Sequence, residues 1–377
     1  MRGLFFVLLM VFCLPITSQN IDYIVHRLDY REGVTAVSVS PDDRWLLAGF
    51  ENGAIRVFDI ASMEEQFEIK EAGTEAVFDI EMTPKMDVIF VASGNRIALY
   101  DTLGTMINQW SHHRNTIWSM DISPDGKWVA STETNRTFHL TEVYQGTATP
   151  MRAHEDITLA VEFSSDGKMV ASGSNDKTVL LWDVASQEVT QTLRGISDVI
   201  YDVSLSPNDS LVAACSKDGT VRVWNISDKK LKYLLDGHQD RVFEIEFSPD
   251  GKYLLSGSAD MGIKLWDMRT GEQLYAYLEN ESSIADLVFL PGGSAFASAG
   301  MDGNLTVWGI DPEIFVMKYF SEEYDEALED PVFEPRRKGE RRSDFKERKM
   351  RAKGEKEKII EGLFERYKEE VEGGLCD

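Results

Sequence analysis

SPDGKYLLSGSADMGIKLWD, residues 248–267, decides how this chain folds. Pro249-Asp250-Gly251 is turn chemistry, the following run steps from Tyr253 and Leu254 down to small residues, Ala259-Asp260-Met261-Gly262 is a second turn, and IKLWD closes the phrase on Trp266-Asp267. Both apolar runs are too short for helices and rich enough in β-formers to be strands. The phrase returns as SSDGKMVASGSNDKTVLLWD (164–183), SPNDSLVAACSKDGTVRVWN (206–225) and LPGGSAFASAGMDGNLTVWG (290–309). Three copies have drifted: SPDDRWLLAGFENGAIRVFD (40–59), TPKMDVIFVASGNRIALYD (83–101) and SPDGKWVASTETNRTFHLT (123–141). From Pro41 through Pro84, Pro124, Ser165, Pro207 and Pro249 to Pro291 the steps are 43, 40, 41, 42, 42 and 42 residues, a regularity that means stacked units.

Each period contains four candidate strands. VFEIEF precedes the quoted phrase, the phrase itself supplies two, and a run such as EQLYAYL (272–278) or KKLKYLL (229–235) follows the terminal Trp-Asp. A four-stranded sheet apolar on both faces needs neighbouring sheets as cover, and radial repetition provides them. The expectation is an all-β, seven-bladed β-propeller of four-stranded antiparallel blades over residues 19–310.

Period, turn and terminal dipeptide recur together over roughly three quarters of the chain, and in this the sequence resembles the WD-repeat (WD40) propeller family. The resemblance implies a buried hydrogen-bonded quartet in two blades: His154, Ser172, Asp176 and Trp182 in blade four, and His238, Ser256, Asp260 and Trp266 in blade six. There Asp would fix the imidazole, the imidazole would meet the Ser, and the Ser would meet the indole N–H. Other blades depart from the pattern. Blade three keeps His113 but has His139-Leu140-Thr141 where Trp-Asp belongs, blade five has Gly195-Ile196 for Gly-His, and blade two lacks its third turn at Ser93-Gly94-Asn95. Those blades are expected to rely mainly on apolar packing. The resemblance gives the His and Asp residues a structural task, so no catalytic residues are assigned.

The ring needs one further strand. IDYIVHRL (21–28) sits just before blade one, and pairing it into the last blade would remove an exposed edge. IFVMKYF (314–320) is the competing candidate. Upstream, Met1-Arg2-Gly3, an apolar run over residues 4–14 and Pro15-Ile16-Thr17-Ser18 read as a signal peptide over residues 1–18, implying an exported protein, periplasmic, envelope-associated or secreted. The run of eleven is short of the about 20 residues that cross a bilayer, so no integral span is expected after cleavage. Phe12 before Cys13 argues against lipid attachment.

Beyond the signal, Cys215 reads as a buried strand thiol and Cys376 as a free tail thiol, with no disulfide framework. Without Cys-x-x-Cys, and with histidines scattered along the chain, no metal site and no cofactor are expected. A net charge of −25 disfavours nucleic acid as a partner. Residues 311–335 read as an acidic linker or an extra strand, and residues 336–377 as a charged helical tail with Ser343 as N-cap and Ile360, Leu363, Phe364, Tyr367 and Val371 as its apolar stripe. The tail's stripe would dock in cis or on another protein, or its basic half would make peripheral contact with the envelope.

Taking the residue one place into each innermost strand gives Thr35, Phe78, Trp118, Leu159, Tyr201, Phe243 and Ala285. Five large apolar side chains in consecutive blades would form a collar for a protein or peptide, with Lys217 and Arg241 as polar rim contacts. Strand alternation leaves a second reading open, in which Phe243 lies with Ile245 and Phe247 and the collar merely fills space between blades. The function expected is a noncatalytic interaction scaffold binding through the propeller face. The alternatives are an envelope hydrolase or sugar- or lactone-processing enzyme, for which no converging carboxylates can be assembled from sequence, and a sensor module signalling through the tail.

Overall fold

The computed structural model describes residues 23–69, 75–328, 330–333, 335 and 340–372. The signal-peptide reading at 1–18 and Cys376 fall outside them. The chain forms two compact units, a body over Ile24–Ile310 and a smaller unit containing Asp311–Asp377.

Seven four-stranded antiparallel sheets make up the body. Blade six shows why the repeated phrase folds this way. Its strands are Val242–Phe247, Tyr253–Ser258, Ile263–Asp267 and Gln273–Tyr277. At the turn after the first strand, the Ser248 hydroxyl donates to Asp250 Oδ1 at 2.7 Å and accepts from Tyr253 N–H at 2.9 Å. Gly251 there takes φ 71°, open to glycine at little cost. Blade two places Met86 at the same point with φ 58°, a strained choice for a long side chain.

The first strand of each blade touches the first strand of the next all the way round, so seven inner strands enclose a channel. Apolar residues fill the gaps between blades. One cluster joins Leu211, Ala213 and Val223 of blade five to Val242, Ile245 and Phe247 of blade six. Each of the larger side chains among them contributes about 1.5–3 kcal/mol.

Strand Ile24–Asp29 closes the ring by pairing with Asn304–Gly309, with Leu28 opposite Leu305 and Asp29 opposite Asn304. The competing strand at 314–320 does not form: these residues lie in helix α1, Pro312–Tyr319, and its cap Phe320. The Asp311 carboxylate accepts from Glu313 N–H at 2.8 Å, and Pro312 at the first helical position presets φ, so a cap and a proline outweigh the β-rich composition.

The linker reading of 311–335 is also corrected, because α1 is followed by α2, Ser321–Leu328, and a short 3-10 turn, Pro331–Phe333. The tail helix α3, Arg342–Arg366, continues into a π-helical turn, Tyr367–Glu372. Within this unit the Phe315 ring of α1 lies tilted against Phe364 and Tyr367, at centroid distances of 5.5 and 5.0 Å, and Lys356 Nζ pairs with Glu313 Oε1 at 2.9 Å. The Tyr324 hydroxyl also bonds Glu313. The acidic segment is therefore ordered by the basic helix that follows it. The N-cap is Arg341, not Ser343, whose hydroxyl donates to its neighbour Asp344 at 2.9 Å.

Candidate functional site

Antiparallel pairing puts the start of each inner strand at the same end of the blade as the turn between its second and third strands. At that end six of the seven ladders carry a defect, and only that of blade three is regular. In blade six Val242 pairs with Ser258 and Glu244 with Gly257, leaving Phe243 as the extra residue of a β-bulge. Thr35, Phe78, Leu159, Tyr201 and Ala285 occupy the same bulged position in their blades. A bulge re-aims its side chain, so the alternation that would have grouped Phe243 with Ile245 and Phe247 is broken there. Ile245 and Phe247 are buried, whereas Phe243 remains half-exposed.

Three bulged side chains, Phe78, Tyr201 and Phe243, and Trp118, which precedes the regular ladder of blade three, form two aromatic pairs. Phe78 lies against Trp118 at 5.0 Å and Tyr201 against Phe243 at 5.1 Å, both pairs tilted by 59°. Trp118 is 46% exposed, unusual for a residue whose burial is so favourable. Leu159 of blade four, half-buried, belongs to the blade between the two pairs. The Arg241 guanidinium stands 5.7 Å from the Phe243 ring, and Lys217 is exposed on the turn of blade five.

Behind this rim lie the polar networks. In blade six His238 Nδ1 is 3.0 Å from Asp260 Oδ2, its Nε2 is 2.8 Å from Ser256 Oγ, and Trp266 Nε1 donates to Ser256 Oγ at 2.8 Å. Blade four repeats the chain through His154, Asp176, Ser172 and Trp182 at 2.9, 2.8 and 2.8 Å. One protonation pattern satisfies every group: Nδ1–H donates to Asp, Nε2 accepts from the Ser hydroxyl, and the Ser oxygen accepts from the indole. Burial lowers the His238 pKa and so favours the neutral ring this pattern needs. Burial alone would raise the Asp260 carboxyl, but bonds from Gln239 N–H, His238 and Gly262 N–H outweigh it and hold the group below its usual range. These residues are engaged with one another and brace the outer strands.

Sequence reasoning missed the channel lining. Asp79, Glu81, Asp121, Glu162, Asp202, Glu244, Glu246 and Asp286 lie on the inner strands, facing away from the interblade core and close enough to raise one another's pKa. Six of them stitch the ring. A carboxylate four residues before the turn position accepts the N–H three before it in the next blade: Asp79 from Met120 (2.6 Å), Asp202 from Ile245 (3.2 Å) and Asp286 from Val37 (2.7 Å). One two residues before accepts from the position one before: Asp121 from Phe163, Glu162 from Leu205 and Glu246 from Phe289, each at 2.5 Å. Their residual accessibility is to a channel walled by protein, so burial raises Asp121 and Asp202 to about 6, Asp286 to about 7 and Glu246 to about 8. The converging carboxylates held to be unassemblable are therefore present. A signal existed in the acidic residues at fixed offsets before each turn, but strands alone do not say which face meets the axis.

The statement that the histidines are scattered is likewise corrected: His112, His113 and His139 of the chain's six histidines converge in blade three, each offering a ring nitrogen within 4.8 Å of the other two. Cys215 is buried and free, its thiol pKa raised by burial. No helix among the described residues is long and apolar enough to cross a membrane.

With seven four-stranded sheets and braced outer strands in place, the class is that of a repeat propeller. The WD domain, G-beta repeat model (WD40) matches residues 23–59, 104–140, 146–183, 187–225, 229–267 and 271–309, more than half of the chain, and the chain belongs to the WD40 family. Each match supplies the outer strand of one blade and the three inner strands of the next, so sequence repeats interlock structural blades. Residues 60–103, which supply the first three strands of blade two, fall outside the matches; this is the blade that lost its third turn. The chain is also similar to the intraflagellar transport protein 122 homolog of Xenopus tropicalis, 36% identical over 58 residues. That stretch is 15% of this chain and 5% of the relative's length. WD40 propellers commonly serve as noncatalytic scaffolds for protein partners.

Proposed function

We propose that this propeller is an exported, noncatalytic scaffold that binds a protein or peptide segment across the rim carrying Phe78, Trp118, Leu159, Tyr201 and Phe243. The observation that carries this reading is the pair of partly exposed aromatic couples, Phe78 with Trp118 and Tyr201 with Phe243, in which Phe78, Tyr201 and Phe243 stand at bulged positions. Aromatic side chains fixed by neighbours lose little entropy on binding and bury large areas, the traits of interface anchors. Lys217 and Arg241 add charged contacts at the margin. The channel carboxylates support a noncatalytic assignment, since most are committed to backbone N–H groups of the next blade.

A photo-crosslinking residue placed at Trp118 or Phe243 tests this against the same residue at Tyr144, which is 72% exposed on a turn at the opposite end. Partners should be captured from the first two positions, and a Trp118→Ala, Tyr201→Ala variant should recover them at least tenfold less. Equal capture from Tyr144, or equal recovery by the variant, would retire the rim. Export rests on the charged start and apolar run of residues 1–18; N-terminal sequencing should find mature protein outside the cytoplasm starting near residue 19. The exposed basic residues Arg341, Arg342, Lys346, Lys349, Arg351 and Lys353 of the tail suit peripheral contact with an anionic envelope surface. Salt-sensitive binding to anionic vesicles, lost when these residues are neutralised, is the expected result.

A further inference from the structure

Blade three uses the frame of blade four differently. Pairing equates Ser131 with Ser172, since they sit opposite His139 and Leu180, and equates Thr141 with Trp182, opposite Val129 and Val170. Thr141 thus stands where blade four has an indole, and His139 where it has a leucine. The space is filled by imidazoles. His112 lies 4.5 Å from His113 and 5.3 Å from His139 between ring centroids, and His113 lies 4.6 Å from His139.

These rings are not satisfied as their counterparts are. His113 still meets Ser131 Oγ through Nε2 at 2.9 Å, but its Nδ1, buried, makes no hydrogen bond. The same is true of His139 Nδ1. Both atoms face Glu133 Oε2, at 3.8 and 3.9 Å, too far to bond and close enough to share an ion. Glu133, 2% exposed, is held in place through its other oxygen, which accepts from Arg114 N–H (2.8 Å), Asn115 N–H (2.9 Å) and the Asn115 amide (2.8 Å). Thr141 Oγ1 contacts His112 Nε2 at 3.3 Å.

We propose that blade three binds one divalent transition-metal ion of the zinc class through the imidazoles of His112, His113 and His139, with the Glu133 carboxylate as fourth ligand. Three nitrogens and one oxygen suit such ions, and four protein donors make a closed, structural site rather than a catalytic one. Ligand atoms around tetrahedral zinc lie about 3.3 Å apart, given bonds of about 2.0–2.1 Å. Glu133 Oε2 stands 3.8 and 3.9 Å from two of the imidazoles and the nitrogens lie within 4.8 Å of one another, so side chains must draw in by about 0.5–1.5 Å to reach that spacing. The ion would tie the loop bearing His112 and His113, which leads to Trp118, to the third strand of the blade.

The test uses the full chain, stripped with a chelator and titrated with Zn2+ against a chromophoric competitor, then with Co2+ for the visible absorption of a four-coordinate site. One equivalent should bind with Kd well below micromolar and raise the melting temperature, which the chelator should reverse. His139→Leu, which installs the residue blade four carries, should weaken binding at least a hundredfold; Glu133→Gln should weaken it roughly tenfold to a hundredfold. His26→Ala, on the exposed closing strand, should change nothing. If His139→Leu does not fold, Glu133→Gln and the Co2+ spectrum decide. Folded wild type that takes up no stoichiometric metal, or both variants binding like wild type, would overturn the proposal.

Discussion

Blades three and four share strand register, turn chemistry and a buried His–Ser bond, yet one is closed upon itself and the other is not. In blade four every polar atom of His154, Ser172, Asp176 and Trp182 that joins the chain meets a partner at 2.8–2.9 Å. In blade three the indole has become Thr141, and two imidazole nitrogens face a carboxylate across 3.8 and 3.9 Å. A self-satisfied network locks geometry; one with facing, unpaired donors is built to hold something between them. Within a shared frame, His112, Glu133, Asn135, His139 and Thr141 replace Ala153, Ser174, Asp176, Leu180 and Trp182, and these exchanges distinguish the two sites.

The contrast breaks most visibly under truncation. Trp182→Ala should cost about 3–5 kcal/mol in urea unfolding, because it removes a buried ring and the N–H that Ser172 accepts, whereas Thr141→Ala should cost about 1 kcal/mol. Comparable losses would mean that blade three depends on its polar core as blade four does. Next in size, Asp260→Ala in blade six should cost about 2–3 kcal/mol by stranding His238 Nδ1–H and the N–H groups of Gln239 and Gly262. Asn135→Ala, which strands only the Thr137 groups in blade three, should cost about 1 kcal/mol.

Titration separates the networks by sign. Asp176 and Asp260 are held below the usual carboxylate range, so their stabilisation is full above the unfolded value near 4 and is lost as pH falls through the folded value. The channel carboxylates are raised, so the folded state binds more protons than the unfolded between pH 4 and 8, and stability should fall over that span by about 1.4 kcal/mol per pH unit for each proton of difference. The melting temperature should peak in mild acid and decline towards pH 8, and Asp286→Asn should flatten the decline. A profile rising from pH 5 to 8 would contradict the ring as described. The smallest effect belongs to the rim: Trp118→Ala, Tyr201→Ala should change stability by less than about 1 kcal/mol while removing partner capture.

The seven blades were legible because turn chemistry and β-rich runs are local and repeat at a fixed spacing. The quartets were legible through resemblance, since His, Ser, Asp and Trp stand at recurring offsets. The tail was misread between 311 and 335 because Ile314, Phe315 and Val316 suggest a strand, and only the Asp311 cap and the pairing of Glu313 with Lys356 reveal a helix. The bulge at Phe243 was invisible for a related reason: alternation predicts facing only while the ladder is regular.

The chain's own order of residues determined the number of blades and their turns, because those depend on neighbours along the backbone. Closure of the circle decided the rest. It alone brings carboxylates from six blades to one axis and sets six of them against an N–H of the following blade, because such groups meet only when distant strands are packed at fixed separations, while the folding of blade three itself gathers His112, His113 and His139 beside Glu133.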